Sequence, residues 1–248
     1  MITGIIGAMP EEIALLHGDL AITRQVTRGM RDYIVGTLCG QDVVLVFSRW
    51  GKVAAASTAT TLIEAFGVEQ ILFTGVAGAI AEDLNIGDVV IGTELIQHDM
   101  DVSAVLNLQP FEVPLLHRAS FPADARLTAM AIGAAEIYLG RDPPAAELRG
   151  FGAGRPTMRA GLIVSGDQFI ADAARVAGLR ARLPAAQCVE MEGAAVAQVC
   201  FEHGVPMAVI RVISDKADHS AAVDFTRFIA DVASHVTRGI IREMLAGL

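Results

Sequence analysis

The segment Val189-Glu190-Met191-Glu192-Gly193-Ala194-Ala195 sets two carboxylates around one methionine, ahead of small residues that read as a helix start. A buried carboxylate is costly unless it is paired or hydrogen-bonded. Two of them where a strand should meet a helix suit a polar guest with hydroxyls or cationic character, because carboxylates accept hydrogen bonds and repel anions. Four more segments bring chemically capable residues to the end of an apolar run. In Gly7-Ala8-Met9-Pro10-Glu11-Glu12, Pro10 suits the first turn of a helix and the acids complement its dipole, which accounts for Glu11. Glu12 either does the same or points back over the sheet end, where α/β folds bind ligands. Phe73-Thr74-Gly75-Val76-Ala77-Gly78-Ala79 reads as a tight turn after a strand, or as backbone that approaches a ligand closely. It is neither Gly-x-Gly-x-x-Gly nor a phosphate-binding loop, and holds no Lys or Arg for an anion. In Ser165-Gly166-Asp167-Gln168-Phe169-Ile170, Phe169 is either a platform for a flat heterocycle or a core residue. In Arg211-Val212-Ile213-Ser214-Asp215-Lys216-Ala217-Asp218, Asp215 ends a buried strand and is either functional or paired structurally with Lys216 or Arg211.

Two further sets of residues carry less. His98-Asp99-Met100-Asp101 has metal-ligand types without ligand spacing, and the other histidines are scattered, so no metal site is expected. Cys39, Cys188 and Cys200 are odd in number and form no Cys-x-x-Cys pair. They read as reduced thiols of a cytoplasmic protein, with Cys188 and Cys200 as small core residues.

The elements that must position these residues alternate along the chain. Strand-like runs are 2–6, 33–38, 43–47, 70–73, 88–91, 162–164 and 207–213, mostly apolar on both faces, as in a sheet covered on two sides. Helical runs are 51–66, 123–139, 171–183, 193–203 and 225–245; in the first, Val53, Ala56, Ala59, Thr60 and Ile63 recur near a 3.6-residue period. Segment 100–122, with three prolines among polar and bulky residues, and segment 141–157, rich in Pro and Gly, read as loops: lids, partner surfaces or, for the second, a tolerated insertion. The pattern predicts one α/β domain over residues 1–248, a sandwich with a mixed sheet, and not two domains.

Composition agrees and excludes some classes. With 248 residues, 53% of them hydrophobic, the chain can bury a sizeable core. A net charge of -9 argues against nucleic-acid binding, which leaves a basic footprint. No apolar run reaches membrane-spanning length and the first residues read as a strand, so no membrane or secretory role is expected.

Taken in order, these motifs, together with Gly51-Lys52-Val53-Ala54-Ala55-Ala56, resemble the 5′-methylthioadenosine/S-adenosylhomocysteine nucleosidase family of the nucleoside phosphorylase superfamily. The resemblance implies a nucleoside phosphorylase-like fold, a three-layer sandwich around a central mixed sheet, with a homodimer, no cofactor, and hydrolysis of an adenine thionucleoside in methionine salvage. It casts Asp215, set by Ser214, as the acid toward adenine N7, Glu12 as activator of water, and Glu192 as acceptor of ribose hydroxyls with Met191 against the sugar. Phe169 would stack on the purine, Ile170 would offer backbone groups to its edge, and Gly78 would wall the sugar side. Phe73 stands where the phosphorylase pattern has an Arg, which favours water over phosphate. Two positions depart from the nucleosidase pattern. Val76 replaces a usual Ser, and Trp50 replaces a smaller aliphatic at the 5′ thioether subsite, where with Met9 and Phe225 it would form a tighter apolar pocket, from which a preference for methylthio over homocysteine is expected.

Overall fold

The computed structural model describes residues 1–141, 143–216 and 225–248; Ala217 and Asp218 of the last motif, and His219, lie outside them. Its strands are β1 (Ile2–Gly7), β2 (Ala21–Arg28), β3 (Arg31–Leu38), β4 (Gln41–Phe47), β5 (Gln70–Ala79), β6 (Val89–Gln97), β7 (Ser120–Pro122), β8 (Met158–Ser165), β9 (Ala186–Glu190) and β10 (Met207–Asp215). They form one mixed sheet. On one side of β5 the order is β1, β4, β3, β2; on the other, β10, β6, β8 and β9 lead back to β5, so that these strands close a ring. Closure leaves β5 with three neighbours: β1 and β10 parallel to it, and β9 antiparallel.

The helices are α1 (Pro10–Asp19), α2 (Lys52–Phe66), α3 (Ser103–Leu106), α4 (Ala125–Arg141), α5 (Ala145–Arg149), α6 (Ala173–Arg182), α7 (Gly193–His203), α8 (Phe225–Phe228) and α9 (Ser234–Ala246), with a π-helical turn at Ile229–Ala233 joining the last two. Successive strand residues point to opposite faces, and the two main apolar clusters divide accordingly. Ile5, Leu72 and Ile210 meet Leu16 of α1, Leu127 of α4 and Ile240 of α9, whereas Ile6, Phe73 and Val209 meet Leu62 of α2 and Val196 of α7. Helices therefore cover both faces of the mixed sheet, which is why its central strands are mostly apolar on both sides. Among the described residues no helix is long and apolar enough to cross a membrane.

The structure departs from the sequence reading in four places. The glycine-rich segment 73–79 is no turn; it continues β5 in extended form. Strand β2 was missed because its residues are nearly all exposed and polar, with no buried face to produce alternation. Segment 100–122 is not all loop: it contains α3 and ends in β7. Segment 141–157 contains α5, whose Leu148 is fully buried. That leucine fills the space at Gly87, where a Cβ would come within 2.5 Å of it. The segment is thus anchored to the core.

Candidate active site

The site arises from an opening along one edge of β5. Strand β10 occupies the other edge from Ile71 to Gly78. On the open edge, β1 pairs only as far as Phe73, and β9 joins only at Gly78. Because β1 runs parallel to β5 and β9 antiparallel, their carboxyl ends approach each other across the gap. A cavity of about 420 Å³ lies there, a size suited to a small-molecule ligand. Around it stand all the site residues named from the sequence: Met9, Glu12, Trp50, Val76, Gly78, Phe169, Ile170, Met191, Glu192, Ser214, Asp215 and Phe225.

Glu12 resolves the choice posed by its motif by doing both things. Its Oε2 accepts hydrogen bonds from the backbone N–H of Ala8 (2.7 Å) and Met9 (2.9 Å), capping α1, while Oε1 accepts from Val76 N–H (3.0 Å) in the opened stretch of β5. The approach requires Gly75: a Cβ there would lie 2.7 Å from Glu12 Oε1. Burial pushes the Glu12 pKa above the ordinary carboxylate range, against the opposing pull of Arg211 and the backbone donors.

The two carboxylates between β9 and α7 have separate tasks. Glu190 points into the protein, where its Oε2 takes a 2.6 Å bond from Arg211 Nη2. It also accepts from Ser165 Oγ and from the N–H groups of Glu192 and Gly193 at the start of α7. Arg211 is held further by the Ile210 carbonyl (3.0 Å) and lies 4.1 Å from the centroid of the Phe73 ring. Arg211 thus pairs with Glu190, and Lys216 reaches the Asn85 side chain (3.4 Å), rather than either forming the ion pair with Asp215 weighed from the sequence. Glu192 turns to the cavity and accepts from Gly51 N–H at 2.7 Å. Burial, together with the negative charges of Glu190 and Glu12, raises its pKa to about 8.

Asp215 and Ser214 face the cavity together although they are adjacent on a strand, where neighbours normally point to opposite sides. A bulge permits this. Ile213 pairs with Ala77 and Asp215 with Gly78, leaving Ser214 as an extra residue on β10. Ser214 Oγ then donates to Asp215 Oδ2 at 2.6 Å.

The remaining lining is apolar. Phe169 is 53% exposed and meets Phe225 edge-on, with ring centroids 6.0 Å apart. It therefore stands at the mouth, free of the core role that was its alternative. Trp50 is 64% exposed, so it rims the mouth instead of tightening the interior. Glu190, Arg211 and Gln168 also border the cavity. The first two were visible in the sequence, but nothing in their spacing showed that they meet. Arg211 puts a cation at the cavity, and Glu190 neutralises it. Cys188 and Cys200 are buried, and burial pushes the Cys200 thiol up to about 12, far from a nucleophilic thiolate. Among the described residues no cluster of three His, Cys, Asp or Glu could hold a metal ion.

Comparison with known proteins agrees with this geometry. The sequence profile of the phosphorylase superfamily matches residues 2–246. The 5′-methylthioadenosine/S-adenosylhomocysteine nucleosidase of Anoxybacillus flavithermus is 41% identical over 231 residues, covering 93% of this chain and 92% of that protein. The nucleosidase of Neisseria meningitidis, crystallised with methylthio-immucillin-A, superposes with a TM-score of 0.85 at 34% identity, covering 100% of this chain and 99% of the other. The futalosine hydrolase of Helicobacter pylori does so with a TM-score of 0.85 at 32% identity, covering 100% and 98%. Fold, site and similarity lead to one conclusion: the chain belongs to the 5′-methylthioadenosine/S-adenosylhomocysteine nucleosidase family of the phosphorylase superfamily.

Proposed function

We propose that this chain hydrolyses the N-glycosidic bond of 5′-methylthioadenosine and S-adenosylhomocysteine, releasing adenine and the thioribose sugar. One observation carries the reading: Glu12, Glu192 and Asp215 converge on a single cavity from three different strand ends. Departure of adenine leaves positive charge on the ribose, and fixed carboxylates stabilise that charge more than the neutral ground state. The C1′–N9 bond breaks with its electron pair moving into the base, and adenine leaves poorly as an anion. Asp215, set by Ser214, donates a proton toward N7, a contribution of about 10²–10⁴-fold. Glu12 takes a proton from the water that attacks C1′, so that acid and base divide the work as in an inverting glycosidase. Glu192 accepts the ribose hydroxyls, with Met191, Val76 and Gly78 around the sugar. The purine stacks on Phe169 and meets the backbone of Ile170, and the thioether lies toward Met9, Trp50 and Phe225.

Charge balance supports water over phosphate. Among the described residues lining the cavity, Arg211 is the one cation, and Glu190 already engages it. A phosphate dianion would find no free cation to pair with there. The finer parts of the reading are a three-layer sandwich formed by residues 1–248 as one domain, a cytoplasmic homodimer, and a place in methionine salvage. The reaction so written uses no cofactor.

Futalosine hydrolysis is a second reading, favoured by the equal structural match to the Helicobacter pylori enzyme. The test is chromatography of products from methylthioadenosine, S-adenosylhomocysteine and futalosine in phosphate-free buffer. Adenine release from the two thioethers is expected, with no sugar 1-phosphate when phosphate is added. Asp215→Asn should abolish that release with the fold intact. Tight binding of methylthioadenosine without adenine release would replace the enzyme reading with that of a silent nucleoside-binding protein.

A further inference from the structure

Three residues outside the cavity form a closed ring of hydrogen bonds at its rim. Lys52 Nζ donates to Asp99 Oδ1 at 2.6 Å. Asp99 Oδ2 accepts from Asp167 N–H at 2.9 Å, and Asp167 Oδ1 accepts from Lys52 N–H at 2.8 Å. The members come from three places: the first residue of α2, the turn after β6 and the turn after β8. Two of the three are one step from a cavity group. Lys52 follows Gly51, whose N–H holds Glu192, and Asp167 precedes the wall formed by Gln168, Phe169 and Ile170. The ring is tight enough to demand glycine at its neighbour: Gly51 has φ +90°, and a Cβ there would lie 2.9 Å from Asp167 Oδ1. A lone ion pair near the surface would contribute little. Here both carboxylates also accept backbone N–H groups, and the Lys52 and Asp99 side chains are only 17% and 23% exposed.

We propose that Asp99 is a positioning residue for substrate binding, which through Lys52 and Asp167 registers the base-binding wall against the peptide N–H that aims Glu192. The inference rests on the nucleosidase reading and adds to it a residue that touches no substrate. It also separates binding from chemistry. Glu12, in the first turn of α1, and Asp215, at the end of β10, take part in none of the ring's hydrogen bonds. Breaking the ring should therefore weaken binding while bound substrate still reacts.

The experiment compares the parent with Asp99→Asn, Lys52→Met and Lys52→Arg. Steady-state kinetics with methylthioadenosine are measured alongside adenine titrations followed by fluorescence of Trp50, the only tryptophan in the chain, and thermal denaturation. Asp99→Asn and Lys52→Met are expected to raise KM and the adenine Kd by on the order of tenfold, the size of one charge-assisted hydrogen bond. Their kcat should stay within about twofold by the same separation of roles, and Lys52→Arg should restore KM. An unchanged KM and adenine Kd in both variants would overturn the proposal. So would a kcat that falls as far as kcat/KM, or a loss of affinity that tracks a loss of folded protein. If the parent binds adenine but releases none from methylthioadenosine, the nucleosidase reading fails, while the adenine titrations still decide whether the ring sets the base wall. A parent that does neither overturns both.

Discussion

Glu192→Gln should exchange activity for stability, by an amount that depends on pH. In the folded protein, burial and the charges of Glu190 and Glu12 raise the Glu192 pKa to about 8, whereas the ordinary value, expected in the unfolded chain, is 4.5. Between those values the folded state keeps a proton that the unfolded state has released. Stability therefore falls as pH rises, by about 1.4 kcal/mol per pH unit. The contribution is fully present below pH 4.5 and lost as pH passes through about 8. The parent should have lost about 3 kcal/mol to this one group by pH 7 and about 4 kcal/mol by pH 8. Glutamine keeps the shape of the protonated acid, and its carbonyl still accepts the Gly51 N–H, but it cannot ionise. Urea denaturation of both proteins at about pH 5, 6, 7 and 8 checks this. The curves should nearly coincide at the acid end and separate with rising pH, and for a chain of this size the separation near neutrality corresponds to roughly 6–12 °C in Tm. A stability difference that stays constant across the series would refute the reasoning, because Glu192 would then not be titrating in that window. A variant less stable than the parent at pH 8 would show that Arg211 outweighs burial.

Other perturbations probe the remaining parts of the site. Arg211→Met strands the buried Glu190 carboxylate and should cost about 3–5 kcal/mol in chemical denaturation; a loss below about 1 kcal/mol would mean that the α7 amides suffice to hold that charge. Gly75→Ala places a Cβ 2.7 Å from Glu12 Oε1, so kcat should fall at least roughly tenfold with circular dichroism unchanged, and parent-like turnover would show that the Glu12 carboxylate can shift without consequence. Among the described residues lining the cavity, the only cation, Arg211, is engaged by Glu190. The homocysteine carboxylate therefore gains no ion pair, and kcat/KM should favour methylthioadenosine. Equal values for the two thioethers would remove that expectation.

Much of this protein could be read locally. Apolar runs such as Ile2–Ile6 and Met207–Ile213 indicate strands buried on both faces, because no polar alternation interrupts them. The residue types in the five motifs indicate carboxylate chemistry near strand ends, the family resemblance adds Trp50, Phe225 and the individual roles, and every site residue so named borders the same cavity. What was misread has a common cause. The glycines of segment 73–79 suggested a turn because glycine permits one, but two neighbouring strands keep it extended. Arg211 could be matched with Asp215 by proximity in sequence, yet the residue it meets, Glu190, is 21 positions away.

The order of residues alone therefore marked most of the buried strands, the side chains that are costly to bury and the groups able to donate or accept a proton. Three decisions belonged to the tertiary structure: that β1 and β9 share one edge of β5 and leave a gap between them, that a bulge turns both Ser214 and Asp215 toward that gap, and that Arg211 neutralises Glu190 and not Asp215. Each is a pairing between distant parts of the chain. Alternation along a strand says which side of it is buried but not which strand lies beside it; that is chosen by packing and hydrogen bonding summed over the whole sheet.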